Sequence, residues 1–211
     1  MTSDARFKTE QEAFWAGTFG TEYISRNQGG HAVASNIALF SRALRTVGNV
    51  DTCMEFGANI GLNLDALKRL YPDQKQYAVE INPSAAESLR GKLPPENVFE
   101  TSIFNYECTS ATFQLVLIKG VLIHINPEYL DRAYANLYKA TGRYLLVCEY
   151  YNPTPVTISY RGHSNRLFKR DFAGEIMDRY PSLDLLDYGF VYHRDKNFPQ
   201  DDITWFLMER R

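Results

Sequence analysis

The sequence predicts an α/β sandwich whose sheet is parallel except for its final strand. Three observations carry this. Between residues 50 and 150 short apolar runs alternate with segments of helical period, as strands joined by helical crossovers do. One run, "FQLVLIKGV" (113–121), is nearly continuously apolar, as expected of a strand buried on both faces. The last two strand-like runs are linked only by "RDKNFPQDD", too short for a crossover helix, so that pair must be antiparallel.

The elements follow in order. Residues 1–48 predict a helical cap on the sheet's ligand edge, with Ile37, Phe40, Leu44 and Val47 at helical spacing. Residues 49–211 form the core of the same single domain, since no repeat, low-complexity tract or Gly/Ser linker divides the chain. "VDTCMEF" (50–56) is the first strand, and Ile60, Leu64, Leu67 and Tyr71 mark one face of the helix behind it. "QYAVEI" (76–81) is the second strand, and Asn82 followed by Pro83 caps and opens the next helix. "VFETSI" (98–103) and "FQLVLIKGV" are the third and fourth. Asn126-Pro127 starts a helix with Leu130, Tyr134 and Leu137 inward and a stop near Gly142. "RYLLVCEY" (143–150) is the fifth strand. A short helix with Phe172, Ile176 and Met177 leads to "LDLLDYGFVYH" and "ITWFLMER", which bring the sheet to seven strands. "EYYNPTPVTISYRGHSNRLFKRDF" (149–172) has no steady period and is expected to be a binding loop leaving the ligand edge.

Composition bounds the function. With 211 residues, 45% hydrophobic and 23% charged, the chain is far from the signature of disorder and most of it should fold. The formal net charge of −2 supplies no overall basic field for nucleic acid. Cys53, Cys108 and Cys148 are odd in number and far apart, without CxxC or histidine-partner spacing, so free thiols in a reducing cytoplasm are expected, with no metal. The first twelve residues carry no apolar segment behind a basic one, and no run reaches membrane-spanning length, so neither a secretory signal nor a membrane span is expected.

The first strand ends in "EFGANIG", Glu55 to Gly61. Gly57 allows a tight turn or positive φ, and Gly61 lets the helix start close to the strand. A dinucleotide fingerprint needs a second glycine where Asn59 stands. Glu55 would repel phosphate and attract a cationic ligand, which suits S-adenosylmethionine, with its sulfonium and ammonium and no phosphate, better than NAD. Glu80, about 20 residues past the loop, stands where acids in such folds accept bonds from ribose hydroxyls. The plainer reading is that Glu80 caps the following helix.

With these features on view, the chain resembles the class I S-adenosylmethionine-dependent methyltransferases, which have a Rossmann-like fold. More specifically, "FWAGTFGTEYISRN", "EFGANIGLNLDAL", "KGVLIHINPEYL", "EYYNPTPVTISYRGH", "LFKRDFAGE" and "DDITWFL" resemble the family of methyltransferases associated with pseudaminic acid biosynthesis, over almost the whole chain. The resemblance implies methyl transfer from S-adenosylmethionine, with S-adenosylhomocysteine as product, to an oxygen or nitrogen of a small polar, anionic sugar or nucleotide-sugar. It implies a cofactor wall of Glu55, Gly57, Asn59, Gly61, Glu80, Ile81, Ser102, Ile103, Lys119 and Gly120, closed by Tyr23 and Arg26.

Methyl transfer needs alignment of the acceptor and, for some acceptors, removal of a proton. His124 is a candidate base, or a histidine that orders its turn. Glu149 and Tyr150, at the end of the fifth strand, stand where an acceptor should approach. Trp15, Tyr151, Tyr160, Arg161 and His163 offer stacking, hydroxyl and cationic contacts for a sugar or carboxylate. Trp15 also reads as a hydrophobic anchor, and Arg166, Lys169 and Arg170 as solvated surface charges. Asp201 and Asp202, without matching ligands, read as turn residues or a strand cap. The competing readings are a cofactor-binding protein without turnover, a methyltransferase for another small molecule, and a nucleic-acid methyltransferase. The last is disfavoured because "GVLIHINP" replaces the Asn/Asp-Pro-Pro-aromatic run of amino-methylating enzymes.

Overall fold

The structure, a computed structural model, describes residues 7–26, 29–108, 112–160 and 163–211, with the side chains of residues 25, 26, 160 and 163–166 outside that description. In chain order it contains α1 (Glu10–Ala16), α2 (Thr18–Arg26), α3 (Gly30–Ala43), β1 (Thr52–Phe56), α4 (Leu62–Leu70), β2 (Lys75–Glu80), α5 (Pro83–Arg90), β3 (Val98–Glu100), β4 (Phe113–Lys119), α6 (Leu130–Ala140), β5 (Thr141–Glu149), β6 (Val156–Tyr160), β7 (His163–Lys169), α7 (Phe172–Arg179), β8 (Leu183–Val191) and β9 (Ile203–Arg210). Seven strands form one sheet in the order β3-β2-β1-β4-β5-β9-β8. The pairs among β1 to β5 are parallel, and β9 runs antiparallel to both β5 and β8. The predicted architecture is therefore present, with its antiparallel strand inserted between β5 and β8.

Alternation along each strand builds two cores. Met54, Phe56, Val116, Ile118, Leu145 and Val147 face α6 and α7, whose Leu130, Tyr134, Leu137, Phe172 and Ile176 cover them. Cys53, Leu115, Leu117, Leu146, Cys148 and Trp205 face the other way, onto Phe40 and Ala43 of α3, Leu64 and Leu67 of α4, and Leu89 of α5. Burying a large aliphatic side chain of this kind stabilises by about 1.5–3 kcal/mol, so both faces of the sheet contribute to stability. Cys53 and Cys148 sit buried in this interior as expected.

Four expectations change. The N-terminal 48 residues divide: α3 packs into the sandwich layer beside α4, while α1 and α2 lie at the ligand edge. The third strand stops at Glu100. The helix α6 ends before Gly142, and β5 starts at Thr141 without an intervening turn; the Thr141 hydroxyl closes the junction by donating to the Leu137 carbonyl at 2.8 Å. Within the aperiodic stretch 149–172, β6 and β7 pair as a two-stranded antiparallel ribbon rather than an irregular loop, with Val156 facing Lys169 and Thr157 facing Phe168. Its first strand turns apolar side chains (Val156, Ile158) outward and its second buries Leu167 and Phe168, so no single strand shows inside-outside alternation against the domain core.

Candidate functional site

The ligand edge is defined by the carboxyl ends of the parallel strands. β8 is antiparallel to β9, and β9 to β5, so β8 points the same way as β5 and its carboxyl end opens on the same edge. A cavity of about 840 Å³ occupies this edge, walled by α1 and α2, the loops after β1, β2, β4 and β5, and the segment between β8 and β9. That is at the upper end of ordinary ligand sites, which run to about 1,000 Å³.

The floor is the loop after β1. Gly57 has φ +74, and a Cβ there would lie 2.4 Å from Cγ2 of Val121. Asn59 has φ +48, the left-handed region a non-glycine residue seldom adopts. What holds it there is Glu80: the Asn59 amide donates to Glu80 Oε2 at 2.7 Å, and the Asn82 amide donates to Oε1 at 2.7 Å. The carboxylate is only 7% exposed; burial raises its pKa, and the amide bonds oppose that shift. Glu80 thus braces the loop while facing the cavity. It does not itself cap the helix α5; the Asn82 side chain does, accepting from the Ser84 and Ala85 amides at 3.0 and 3.2 Å. A carboxylate accepts about four bonds, so acceptor capacity remains toward a ligand.

Glu55 is placed differently from expectation. It is fully buried, and its Oε1 accepts from the Asn63 side-chain amide at 2.6 Å. Glu55 is absent from the cavity wall, whereas its hydrogen-bond partner Asn63 is part of it. Burial pushes the Glu55 carboxyl up to about 8, against the Asn63 bond and the nearby Lys119 charge. Gly61, with φ +80, sits beneath the start of α4 and not on the wall.

Glu149 is also displaced from its expected role. It is 3% exposed, and its Oε1 accepts from the Val121 and Leu122 amides, both at 2.9 Å. Burial raises its pKa to about 7, opposed by those amides. It is a brace beneath the loop that carries Val121 and His124, and does not meet the cavity. Tyr151 likewise lies outside: it is 41% exposed, with its ring 5.9 Å from that of Phe206.

The structure brings the other described candidates together. Trp15, Tyr23, Gly57, Asn59, Glu80, Ile81, Ser102, Ile103, Lys119, Gly120, His124 and Tyr150 all line the cavity. The Trp15 ring packs against Phe14, Phe19 and Tyr23, as expected of a hydrophobic anchor, and lies 4.6 Å from the His124 ring. Lys169 stands 4.9 Å over the Tyr150 ring. Arg170 pairs with Glu175 at 2.8 Å. Arg161 and the side chains of Arg26, Tyr160, His163 and Arg166 lie outside the described residues.

Sequence reasoning missed several contributors. The Asn82 amide group donates to the carbonyl of Trp15 at 3.0 Å and of Ala16 and Gly17 at 3.4 Å, and to Thr21 Oγ1 at 3.3 Å, tying α1 and α2 to the end of β2. Its cap position was legible; a tie spanning more than 60 residues of sequence carries no local signal. Asn36, bonded to Gln200 at 2.9 Å, and His193 extend the wall on the side of α3 and β8. Asp202 is more than a turn residue, because it binds His193.

No family model and no curated protein matches the chain. Solved structures do. The chain is similar to the mitomycin 7-O-methyltransferase MmcR at 14% identity and a TM-score of 0.65, covering 96% of this chain and 61% of that one. It is similar to the SAM-bound magnesium protoporphyrin IX methyltransferase ChlM from Synechocystis PCC 6803 at 12% identity and a TM-score of 0.67, covering 100% of both chains. A third is the 1,6-didemethyltoxoflavin-N1-methyltransferase of Burkholderia thailandensis with bound S-adenosylhomocysteine, at 13% identity and a TM-score of 0.68, covering 95% of this chain and 86% of that one. At these identities the likeness establishes the fold, a Rossmann-like methyltransferase fold.

Proposed function

We propose that this chain is an enzyme that transfers a methyl group from S-adenosylmethionine to a small polar, anionic sugar or nucleotide-sugar, of the kind found in pseudaminic acid biosynthesis. The observation that carries the cofactor is the Asn59–Glu80 unit at the cavity floor. It puts a side chain where a dinucleotide-binding loop needs its second glycine, and an acid where a ribose would lie. The fold neighbours support the same reading, since ChlM and the toxoflavin N1-methyltransferase are methyltransferases with bound SAM and S-adenosylhomocysteine.

The cofactor, when bound, supplies a methyl carbon on a sulfonium, open to in-line displacement. Glu80 would accept from the ribose hydroxyls. Gly57 and Gly120, both at positive φ, let the backbone approach the ligand. Ile81, Ser102 and Ile103 add to the wall, and Lys119 adds positive charge to it. Trp15 and Tyr23 cover the site and exclude water. Tyr150 and His124 complete the cavity wall on the side of the loops after β4 and β5. Glu149 and Glu55 act from below, one fixing the backbone that carries His124 and the other orienting Asn63.

The sugar assignment rests on the sequence resemblance and on the polar wall of Asn36, Gln200 and Asp201. It is tested by incubating the protein with methyl-labelled S-adenosylmethionine and either N-acetylneuraminic acid or its cytidine monophosphate derivative. Label recovered in either product supports the reading. Label appearing in a cell extract only in compounds that are neither sugars nor nucleotide-sugars refutes the sugar class, and no transfer to any small molecule refutes turnover.

A further inference from the structure

His193 and Asp202 form a dyad at the cavity wall that the foregoing roles leave unused. His193 lies two residues beyond β8, and the last pair of that strand, Val191 with Ile203, brings it next to the first residues of β9. His193 and Ile203 line the cavity; Asp202 stands behind the histidine. The Asp202 carboxylate takes the ring Nδ1 at 2.8 Å (Oδ1) and 2.9 Å (Oδ2), and its Oδ1 also accepts the His193 backbone amide at 2.9 Å. One carboxylate therefore clamps both the backbone and the ring of the same residue. Asp202 holds φ +55 there, in the left-handed region that, after glycine, aspartate and asparagine enter most readily. The carboxylate is kept below its usual range chiefly by the His193 amide and then by the ring.

A carboxylate on Nδ1 fixes that nitrogen as the protonated one and leaves the Nε2 lone pair as the free acceptor. Among the described residues Nε2 has no hydrogen-bond partner. The ring borders the cavity and is also half exposed, at 51%, which gives a received proton a route to solvent. These are the requirements of a general base.

Resting on the methyl-transfer reading, we infer that the methyl acceptor is a hydroxyl oxygen and that His193, positioned by Asp202, takes its proton. In that step the acceptor oxygen forms a bond to the methyl carbon while the carbon–sulfur bond breaks. Its electron pair goes to sulfur, giving neutral S-adenosylhomocysteine sulfur, and the hydroxyl proton goes to Nε2. The imidazolium so formed is stabilised by Asp202 and releases its proton to water. His193 touches the acceptor and is the catalytic residue; Asp202 is a positioning residue. The ring of His124, by contrast, lies against Trp15, which suits a histidine that shapes the methionine end of the site.

The test uses the full chain as wild type, His193→Gln and Asp202→Asn, with three readouts. Calorimetric titration with S-adenosylhomocysteine should give the same affinity within threefold for all three, because neither residue borders the glycine loop. Transfer of tritiated methyl from S-adenosylmethionine into a small-molecule cell extract should fall about 100-fold or more in His193→Gln and at least tenfold in Asp202→Asn, the range general bases contribute. KM for S-adenosylmethionine should stay unchanged. Long-range proton–nitrogen correlation spectra should show the His193 ring protonated at Nδ1 in the wild type and mixed in Asp202→Asn. Equal transfer by wild type and His193→Gln, label on an amine nitrogen, or a wild-type ring protonated at Nε2 would each overturn the inference while leaving methyl transfer standing. Loss of S-adenosylhomocysteine binding in His193→Gln would reassign the residue to the cofactor site. Absence of transfer by the wild type would remove the methyl-transfer reading and this inference with it.

Discussion

Replacing Gly57 with alanine perturbs the loop at the point where it is least able to yield. Two costs are separable. The backbone sits at φ +74, and holding a residue with a Cβ in that region costs about 1–2 kcal/mol. The added Cβ would also lie 2.4 Å from Val121 Cγ2 and 3.2 Å from Cγ1, far inside contact distance. Val121 cannot simply retreat, because its amide is held by Glu149. Overpacking of this kind costs about 1–3 kcal/mol. The sum is about 2–5 kcal/mol, which in a domain of this size lowers Tm by about 4–20 °C. Urea unfolding of Gly57→Ala, Val121→Ala and the double variant measures both parts. The double variant should recover the overpacking share, a coupling of about 1–3 kcal/mol, and retain the backbone share. Affinity for S-adenosylhomocysteine should fall in Gly57→Ala and be only partly restored in the double variant. Strict additivity of the two single changes, or an alanine variant as stable as wild type, would refute the argument.

The other predictions concern the braces around the cavity. Asn82→Asp keeps an oxygen to cap α5 but loses the donor that ties down α1 and α2. It should raise amide exchange across residues 9–24 and weaken S-adenosylhomocysteine binding, whereas Asn82→Ala should also lose the cap, at about 1 kcal/mol. Glu149→Ala strands the Val121 and Leu122 amides; at about 1–3 kcal/mol for each unmet buried group, it should cost several times a typical surface substitution in urea titration. Glu55 titrates at about 8 in the folded protein and near 4.5 when unfolded, so between those values the folded state holds a proton that the unfolded state has lost. Its contribution therefore favours folding at low pH and fades as pH rises through 8. Glu55→Gln should accordingly gain Tm relative to wild type between pH 5 and pH 8, and a difference independent of pH would contradict the assignment.

What the sequence disclosed and what it hid follow from the range of the interactions. β1, β2, β4 and the terminal strand pair were legible because their burial is written in local apolar runs, and Glu80 because its distance from Gly57 is set by a single strand-helix-strand unit. Glu55 and Glu149 were legible as acids at strand ends but not as buried braces. Which way an end-of-strand side chain turns depends on the amides and side chains it meets, here Asn63 and the loop after β4. The β6–β7 ribbon leaves no strand period in the sequence because Pro153 and Pro155 precede it and its outward strand carries Val156 and Ile158. The Asn82 tie and the His193–Asp202 dyad join segments that only the folded chain brings together.

The central claim is that the cavity takes S-adenosylmethionine rather than a dinucleotide. Calorimetric titration of the wild-type protein with S-adenosylmethionine, S-adenosylhomocysteine and NAD tests it most directly. The account predicts saturable binding of the first two at one site per chain and no heat of binding with NAD. Binding of NAD, or no binding of S-adenosylhomocysteine, would contradict it.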